Sequence, residues 1–189
     1  MRFMRPVYGR LLSIPVDEAT GLTADPILLY LDQNYLSGMV KGKPGFRELE
    51  PVLREAVARG VVAVPESEIH RLESSPRPDL PLLDLLGQLS AGLTLPRSAD
   101  REYCLRRLRA AWASFPGRRS RRSDLADLVA LASALPVCQL VTCDAFMADL
   151  VRRSSLDVLY RCQIYTGRRR DVDRLRRFLE ELLSRLTPP

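Results

Sequence analysis

The chain has 189 residues, of which 46% are hydrophobic and 28% charged. This composition predicts one compact globular domain and excludes a collagen-like, coiled-coil or wholly disordered chain. The net charge of +6 favours an acidic partner such as nucleic acid. The longest uncharged stretch, residues 128–143, is too short to span a bilayer and contains Pro136. Arginine or proline interrupts every apolar run near the N-terminus, so we expect a cytoplasmic protein without a membrane span.

The first half of the chain alternates predicted strands with predicted helices. Residues 27–31 form a continuous apolar run, which is typical of a strand buried on both faces. Apolar residues then recur at helical spacing from Phe46 to Val57, with Pro51 expected in the first turn. Further elements are predicted as a strand at 60–64 and helices at 66–74 and 82–93. This alternation indicates a parallel sheet.

The second half continues the same pattern. Hydrophobic spacing predicts a helix over about 100–115, followed by a basic loop at 116–123. Ser123 is the expected N-cap of the next helix. The remaining predicted elements are a helix at 124–135, a strand at 137–143, a helix at 145–153, a fourth strand at 156–160 and an amphipathic helix at 171–186.

Aspartates follow two of the predicted strands. Asp32 comes after the first strand and Asp144 after the third. Ligands of open parallel sheets bind beyond the carboxyl ends of the strands, and neighbouring strands lie about 4.8 Å apart. If these strands are neighbours, two carboxylates lie side by side, and a proton, an arginine or a divalent cation must relieve their repulsion. Asp124 and Asp127 are three residues apart and therefore share one helix face. Asp124 lies in the first turn, where a negative charge interacts favourably with the helix dipole.

Other catalytic arrangements find little support in this sequence. The four cysteines contain no CxxC pair and His70 is the only histidine, so a zinc site of Cys/His type lacks ligands. A Ser–His–Asp site would depend on His70 without a GxSxG motif. The segment 38–44 fails the P-loop spacing. We expect the cysteines to be reduced and mostly buried.

The order of these acidic residues within the elements resembles that of the PIN-domain family of metal-dependent nucleases. The resemblance covers residues 27–160, and the last two of its motifs are the most specific. The motifs are LDQN at 31–34, PESEIHRLES at 65–74, DLADLVALASAL at 124–135 and VTCDAFM at 141–147. The resemblance implies an α/β fold, a three-layer α/β/α sandwich around a mainly parallel sheet of about four to five strands.

The resemblance also implies a site. The catalytic and metal-binding acids of the family fall on Asp32, Glu68, Asp127 and Asp144. Asp124 is an auxiliary metal ligand, and Asn34 and Thr142 support the site. Glu66 or Glu73 takes the place of Glu68 if the register shifts. Carboxylate oxygens suit Mg²⁺ or Mn²⁺, which would activate water for hydrolysis of a phosphodiester bond.

Three segments are expected within the chain. They are an N-terminal extension at 1–26, the PIN-like domain at 27–160 with a helical insert at about 79–115, and a C-terminal helix within 161–189 that packs on the domain. The extension and the insert make the chain longer than typical toxin members of the family. A homodimer or an inhibitory protein partner is compatible with the amphipathic C-terminal helix.

The basic loop and the substrate complete the expectations. Phosphate contacts are expected from the loop arginines Arg118, Arg119, Arg121 and Arg122. RNA is the favoured substrate, and endonucleolytic cleavage is expected. The alternatives are a DNA nuclease of the same fold and a catalytically silent PIN-like module that binds RNA or a protein.

Overall fold

The computed structural model describes residues 25–74, 81–118 and 121–185, with the backbone alone at positions 73, 74 and 122. The elements are β1 Ile27–Tyr30, α1 Gln33–Val40, α2 Phe46–Ala58, β2 Val62–Ala63, α3 Glu68–Ser74, α4 Leu82–Ser90, α5 Arg101–Ala113, α6 Arg122–Ala134, β3 Leu140–Cys143, α7 Ala145–Arg153, α8 Leu156–Leu159, β4 Gln163–Thr166 and α9 Arg169–Arg185. Most of the predicted N-terminal extension, residues 1–24, lies outside the described part. The predicted insert contains α4 and α5.

Across the described residues, the strands form one four-stranded parallel sheet in the order β2-β1-β3-β4. In the register, Leu29 of β1 lies beside Leu140 of β3, and Val141 lies beside Ile164 of β4. The prediction of an α/β fold with a parallel sheet is confirmed. Because β1 and β3 are neighbours at the centre of the sheet, the residues that follow them meet at the same edge.

Each face of the sheet carries its own hydrophobic cluster, because successive strand residues point to opposite faces. Leu29 and Leu31 belong to a cluster with α1, α2, α4 and α9, whereas Tyr30 belongs to one with α5 to α8. Helices on both faces are compatible with a three-layer α/β/α sandwich. All four cysteines are free and buried, as expected. No helix in the described ranges is long and apolar enough to cross a membrane.

The predicted fourth strand at 156–160 is wrong. These residues begin with the short helix α8, in which Val158 is 70% exposed. The amide of Leu159 donates to the carbonyl of Ser155, whose left-handed backbone starts the turn. Local hydrogen bonding therefore overrides the β-propensity of this short run. The fourth strand is Gln163–Thr166, which places both a strand and α9 in the C-terminal segment.

Two helix starts also differ from the predictions. Helix α2 begins at Phe46, so Pro51 lies in its second turn, where its ring faces solvent. Helix α6 begins at Arg122 with Arg121 as its N-cap, and the prediction that Ser123 caps this helix is wrong. The reason is a hydrogen bond of 2.7 Å from the Arg121 amide to the Asp124 carboxylate, which closes the first turn two residues earlier.

The C-terminal helix packs on the domain. Helix α9 buries Val172, Leu175, Leu179 and Leu182 on one face and packs mainly against α2. These four positions are on the apolar face that the spacing predicts. Because α9 follows β4 directly and covers the same sheet face as α1 and α2, it closes one side of the core.

Candidate active site

Asp32 and Asp144 each end a central strand and begin the next helix. Asp32 is the N-cap of α1, and its Oδ1 accepts a hydrogen bond of 3.1 Å from the amide of Tyr35. Asp144 is the N-cap of α7, and its Oδ1 accepts one of 2.7 Å from the amide of Met147. Both carboxylates satisfy a helix N-terminus. Because β1 and β3 are adjacent, these two caps stand at one edge of the sheet.

Thr142 joins the two strands next to these aspartates. Its Oγ1 accepts a hydrogen bond of 2.7 Å from the Asp32 amide and donates one of 3.1 Å to Asp32 Oδ1. The Asn34 amide group donates a hydrogen bond of 3.1 Å to Asp32 Oδ2. The side chain of Thr142 is fully buried. Both predicted supporting residues therefore contact Asp32 and fix the orientation of its carboxylate.

Asp127 reaches the same place from α6. One pocket is lined by Tyr30, Asp32, Asp127, Ala130, Leu131, Thr142, Cys143 and Asp144. Three of the predicted acids thus come together from three different elements. The free volume of this pocket is about 10 Å³, close to the space that a single water molecule occupies. We call it the aspartate pocket.

Like charges repel each other in the aspartate pocket. Burial raises the pKa of Asp32 above its ordinary value, and the neighbouring Asp144 raises it further. Hydrogen bonds from Tyr35, Asn34 and Thr142 act in the opposite direction. Burial also raises the pKa of the Cys143 thiol, with a further contribution from the nearby aspartates. A proton or a cation in this pocket therefore stabilises it.

Carboxylate oxygens are the ligands that Mg²⁺ and Mn²⁺ prefer in proteins. Among the described side chains, no three or more His, Cys, Asp and Glu residues form a group that could hold a metal ion. Mg²⁺ usually binds through one or two carboxylates and keeps several waters, so it does not need such a group. Asp32 and Asp144, which line the pocket together and repel each other, are the residues that could hold it.

Glu68 is exposed on α3 and is not among the residues that line the aspartate pocket. Glu66, the first alternative, forms an ion pair of 3.0 Å with Arg71. The side chain of Glu73, the second alternative, lies outside the described residues. Neither Glu66 nor Glu68 lines the pocket.

Asp124 has a structural role. It is only 3% exposed, and its carboxylate accepts hydrogen bonds from the Arg121 amide at 2.7 Å and from Arg118 at 3.2 Å. The residue completes the N-terminal turn of α6 and neutralises Arg118. It does not line the aspartate pocket, whereas Asp127, three residues further along the same helix, does line it.

Arg118 is largely engaged by the protein itself. Its guanidinium lies 3.3 Å from the ring centroid of Phe146 and 5.7 Å from that of Trp112, in addition to its ion pair with Asp124. Cation–π contacts of this kind hold the loop against α5 and α7. Arg121 is exposed. Arg119 and the side chain of Arg122 lie outside the described residues.

His70, within the helix predicted at 66–74, is buried, which the sequence pattern did not indicate. Its Nε2 donates a hydrogen bond of 2.6 Å to the carbonyl of Leu31, and its Nδ1 accepts one of 3.0 Å from the Ser67 amide. The ring stacks on Tyr30 at 5.0 Å. Burial lowers the pKa of His70 and keeps it neutral. Helix α3 is too short to show an apolar stripe, so hydrophobic periodicity gives no signal for this residue.

Comparison with known proteins adds no assignment. No protein-family model matches the chain, and no match is found among curated proteins or among solved structures.

Proposed function

We propose that this protein is a PIN-like, metal-dependent phosphodiesterase with a three-layer α/β/α fold and with RNA as its favoured substrate. One observation carries the proposal, namely that Asp32, Asp127 and Asp144 line one pocket beyond the carboxyl ends of the two central strands. This is the edge at which open α/β sheets bind ligands. Carboxylates that share one pocket repel each other, and binding a divalent cation would offset this repulsion.

The chain itself supplies binding and orientation. Asp32 and Asp144 would hold Mg²⁺ or Mn²⁺, with Asp127 in the same pocket, and Thr142 and Asn34 keep the Asp32 carboxylate in place. The bound metal would supply an activated water and stabilise charge on the phosphate. The raised pKa of Asp32 means that protons compete with the cation at this carboxylate.

The preference for RNA rests on charge and on the resemblance of the motifs. The chain carries a net charge of +6, and the exposed Arg121 is the N-cap of α6, the helix that carries Asp127. A cation in the pocket would invert the local field and allow a phosphate to approach. DNA would meet the same chemistry, so a direct comparison of the two strands is part of the test.

A silent binding module is the second candidate. The exposed Glu68 favours this candidate, because it does not line the pocket and the fourth carboxylate is then missing there. In this case Asp32 and Asp144 serve as helix caps alone. The two candidates differ in one property, which is whether the pocket binds a divalent cation.

The test is cleavage of a labelled single-stranded RNA and a matched DNA, with Mn²⁺ or with EDTA. Asp144→Asn keeps an N-cap and removes a charge from the pocket. Asp149→Asn is the matched control, because Asp149 lies on the same helix in an exposed ion pair with Arg153. We expect cleavage that needs Mn²⁺, survives Asp149→Asn and falls by about 10²-fold or more in Asp144→Asn.

Calorimetry with Mn²⁺ decides the matter if the wild type cleaves neither strand. Binding that is lost in Asp144→Asn would retain the metal site and show that this substrate is wrong. Absence of binding would overturn the proposed function and leave the silent module. Cleavage that persists in EDTA and in Asp144→Asn would show that the aspartate pocket is not the active site.

A further inference from the structure

A second pocket lies between α5 and α6. It has a volume of about 260 Å³ and is lined by Arg109, Trp112, Leu125 and Leu128. Leu125 is 52% exposed, and Trp112 is half-buried. This pocket therefore offers an aromatic ring and an aliphatic side chain to solvent, with a guanidinium at its rim. We call it the tryptophan pocket.

Trp112 is held in place within this pocket. Its ring meets Phe146 edge to face, with 5.2 Å between the centroids, and the Arg118 guanidinium lies 5.7 Å from its centroid. Phe146 also contacts Phe115, at 5.4 Å. A ring fixed in this way loses little conformational entropy when a planar ligand stacks on it. The aromatic cluster thus provides a preformed platform.

Arg109 supplies the charge that selects the ligand. It is exposed on α5, and no hydrogen bond or ion pair connects it to another described residue. The whole chain is also basic, with a net charge of +6. An anionic ligand with a planar, apolar part complements this combination, and a nucleotide has both properties.

The two pockets share helix α6. Asp127 and Leu131 face the aspartate pocket, whereas Leu125 and Leu128 face the tryptophan pocket. At 100° per residue these two pairs point to different sides of the helix, whose diameter with side chains is about 10 Å. A flexible strand that passes around the N-terminal end of α6 would reach both pockets. A rigid duplex presents no unstacked base to the platform.

We propose that the tryptophan pocket binds an unstacked base of a single-stranded nucleic acid, with the base against Trp112 and Leu125 and its phosphate on Arg109. The nature of the ligand rests on the proposed function, because the strand that occupies this pocket is the one whose phosphodiester would enter the aspartate pocket. Trp112 is a binding residue here and takes no part in the cleavage chemistry.

The experiment uses the fluorescence of Trp112, the single tryptophan of the chain, in EDTA so that no strand is cleaved. An oligouridylate of about eight nucleotides is titrated into the protein. In parallel, the anisotropy of the labelled strand measures binding to the Trp112→Phe variant. A blunt RNA duplex and poly-glutamate are titrated in the same way, as probes for a paired strand and for an acidic protein.

Arg109→Gln tests the phosphate contact without disturbing the core, since Arg109 is exposed. Arg170→Gln is the matched control, because Arg170 is exposed on α9, which packs on the other face of the sheet. We expect saturable quenching by the single strand, with affinity at least about fivefold weaker in Arg109→Gln and with a smaller loss in Trp112→Phe, which keeps an aromatic ring. Arg170→Gln should change it by less than about twofold.

Three outcomes would overturn the inference: no quenching by the single strand, equal quenching by poly-glutamate or by the duplex, or an equal loss in Arg170→Gln. Different results would overturn the proposed nuclease function. Quenching in EDTA without any cleavage in Mn²⁺ would keep the tryptophan pocket and reject the nuclease. Cleavage with unchanged affinity in Arg109→Gln would do the reverse.

Discussion

Replacing Thr142 with valine is expected to destabilise the protein through the orientation of Asp32. The substitution keeps the shape of the side chain and removes the hydroxyl that accepts from the Asp32 amide and donates to its Oδ1. A backbone hydrogen bond contributes about 1 kcal/mol, and one to a charged group about 1.5–3 kcal/mol. The free energy of unfolding should therefore fall by about 2–4 kcal/mol, or about 5–15 °C in Tm for a chain of this size.

Urea unfolding at pH 7, followed by circular dichroism, measures this loss. A double-mutant cycle isolates the contact to the carboxylate, because Asp32→Ala removes the carboxylate and leaves the backbone amide. We expect Thr142→Val to cost only about 1 kcal/mol in the Asp32→Ala background. Thr142→Ser is the control that keeps the hydroxyl. Additive effects of the two substitutions, within about 0.5 kcal/mol, would refute a role of Thr142 in holding the carboxylate.

Three further predictions concern charge, pH and metal. Burial and Asp144 raise the pKa of Asp32, so Asp32→Asn should increase the free energy of unfolding at pH 7 by on the order of 1 kcal/mol. This gain should shrink as the pH falls, and a lower free energy of unfolding in the variant at pH 7 would contradict the prediction. The pKa of His70 is lowered, so the contribution of its neutral ring to the free energy of unfolding is present above about pH 6.5 and is lost below it. Urea midpoints should therefore fall from pH 7 to pH 5, and the fall should be less steep in His70→Gln. Mn²⁺ at about 100 times its Kd should stabilise the wild type by about 2.7 kcal/mol; EDTA should reverse this, and an equal shift in Asp127→Asn would be evidence against the pocket.

The meeting of Asp32 and Asp144 was predictable because it follows from topology alone. Parallel strands end at the same edge, and alternating strands and helices specify a parallel sheet. The apolar runs 27–31 and 137–143 are long enough to identify their strands. Because β1 and β3 are neighbours, the residues that directly follow these two strands are brought close together.

The remaining differences come from local interactions that no periodicity encodes. Asp124 caps α6 from inside its first turn and so moves the helix start to Arg122. The left-handed residue Ser155 starts α8 in a run that reads as a strand. Whether Glu68 turns towards the other acids depends on the rotation of a single short helix, for which the sequence offers no apolar stripe.

The hydrogen bonds between Asp32 and Thr142 join residues 110 positions apart in the chain. Contacts of such high sequence separation form only after a long loop has closed, and they open only when the two central strands separate. The aspartate pocket therefore has no partially folded precursor within the first half of the chain. Hydrogen exchange at the Asp32 amide should report global unfolding, because opening the pocket should require the same free energy as unfolding the whole domain.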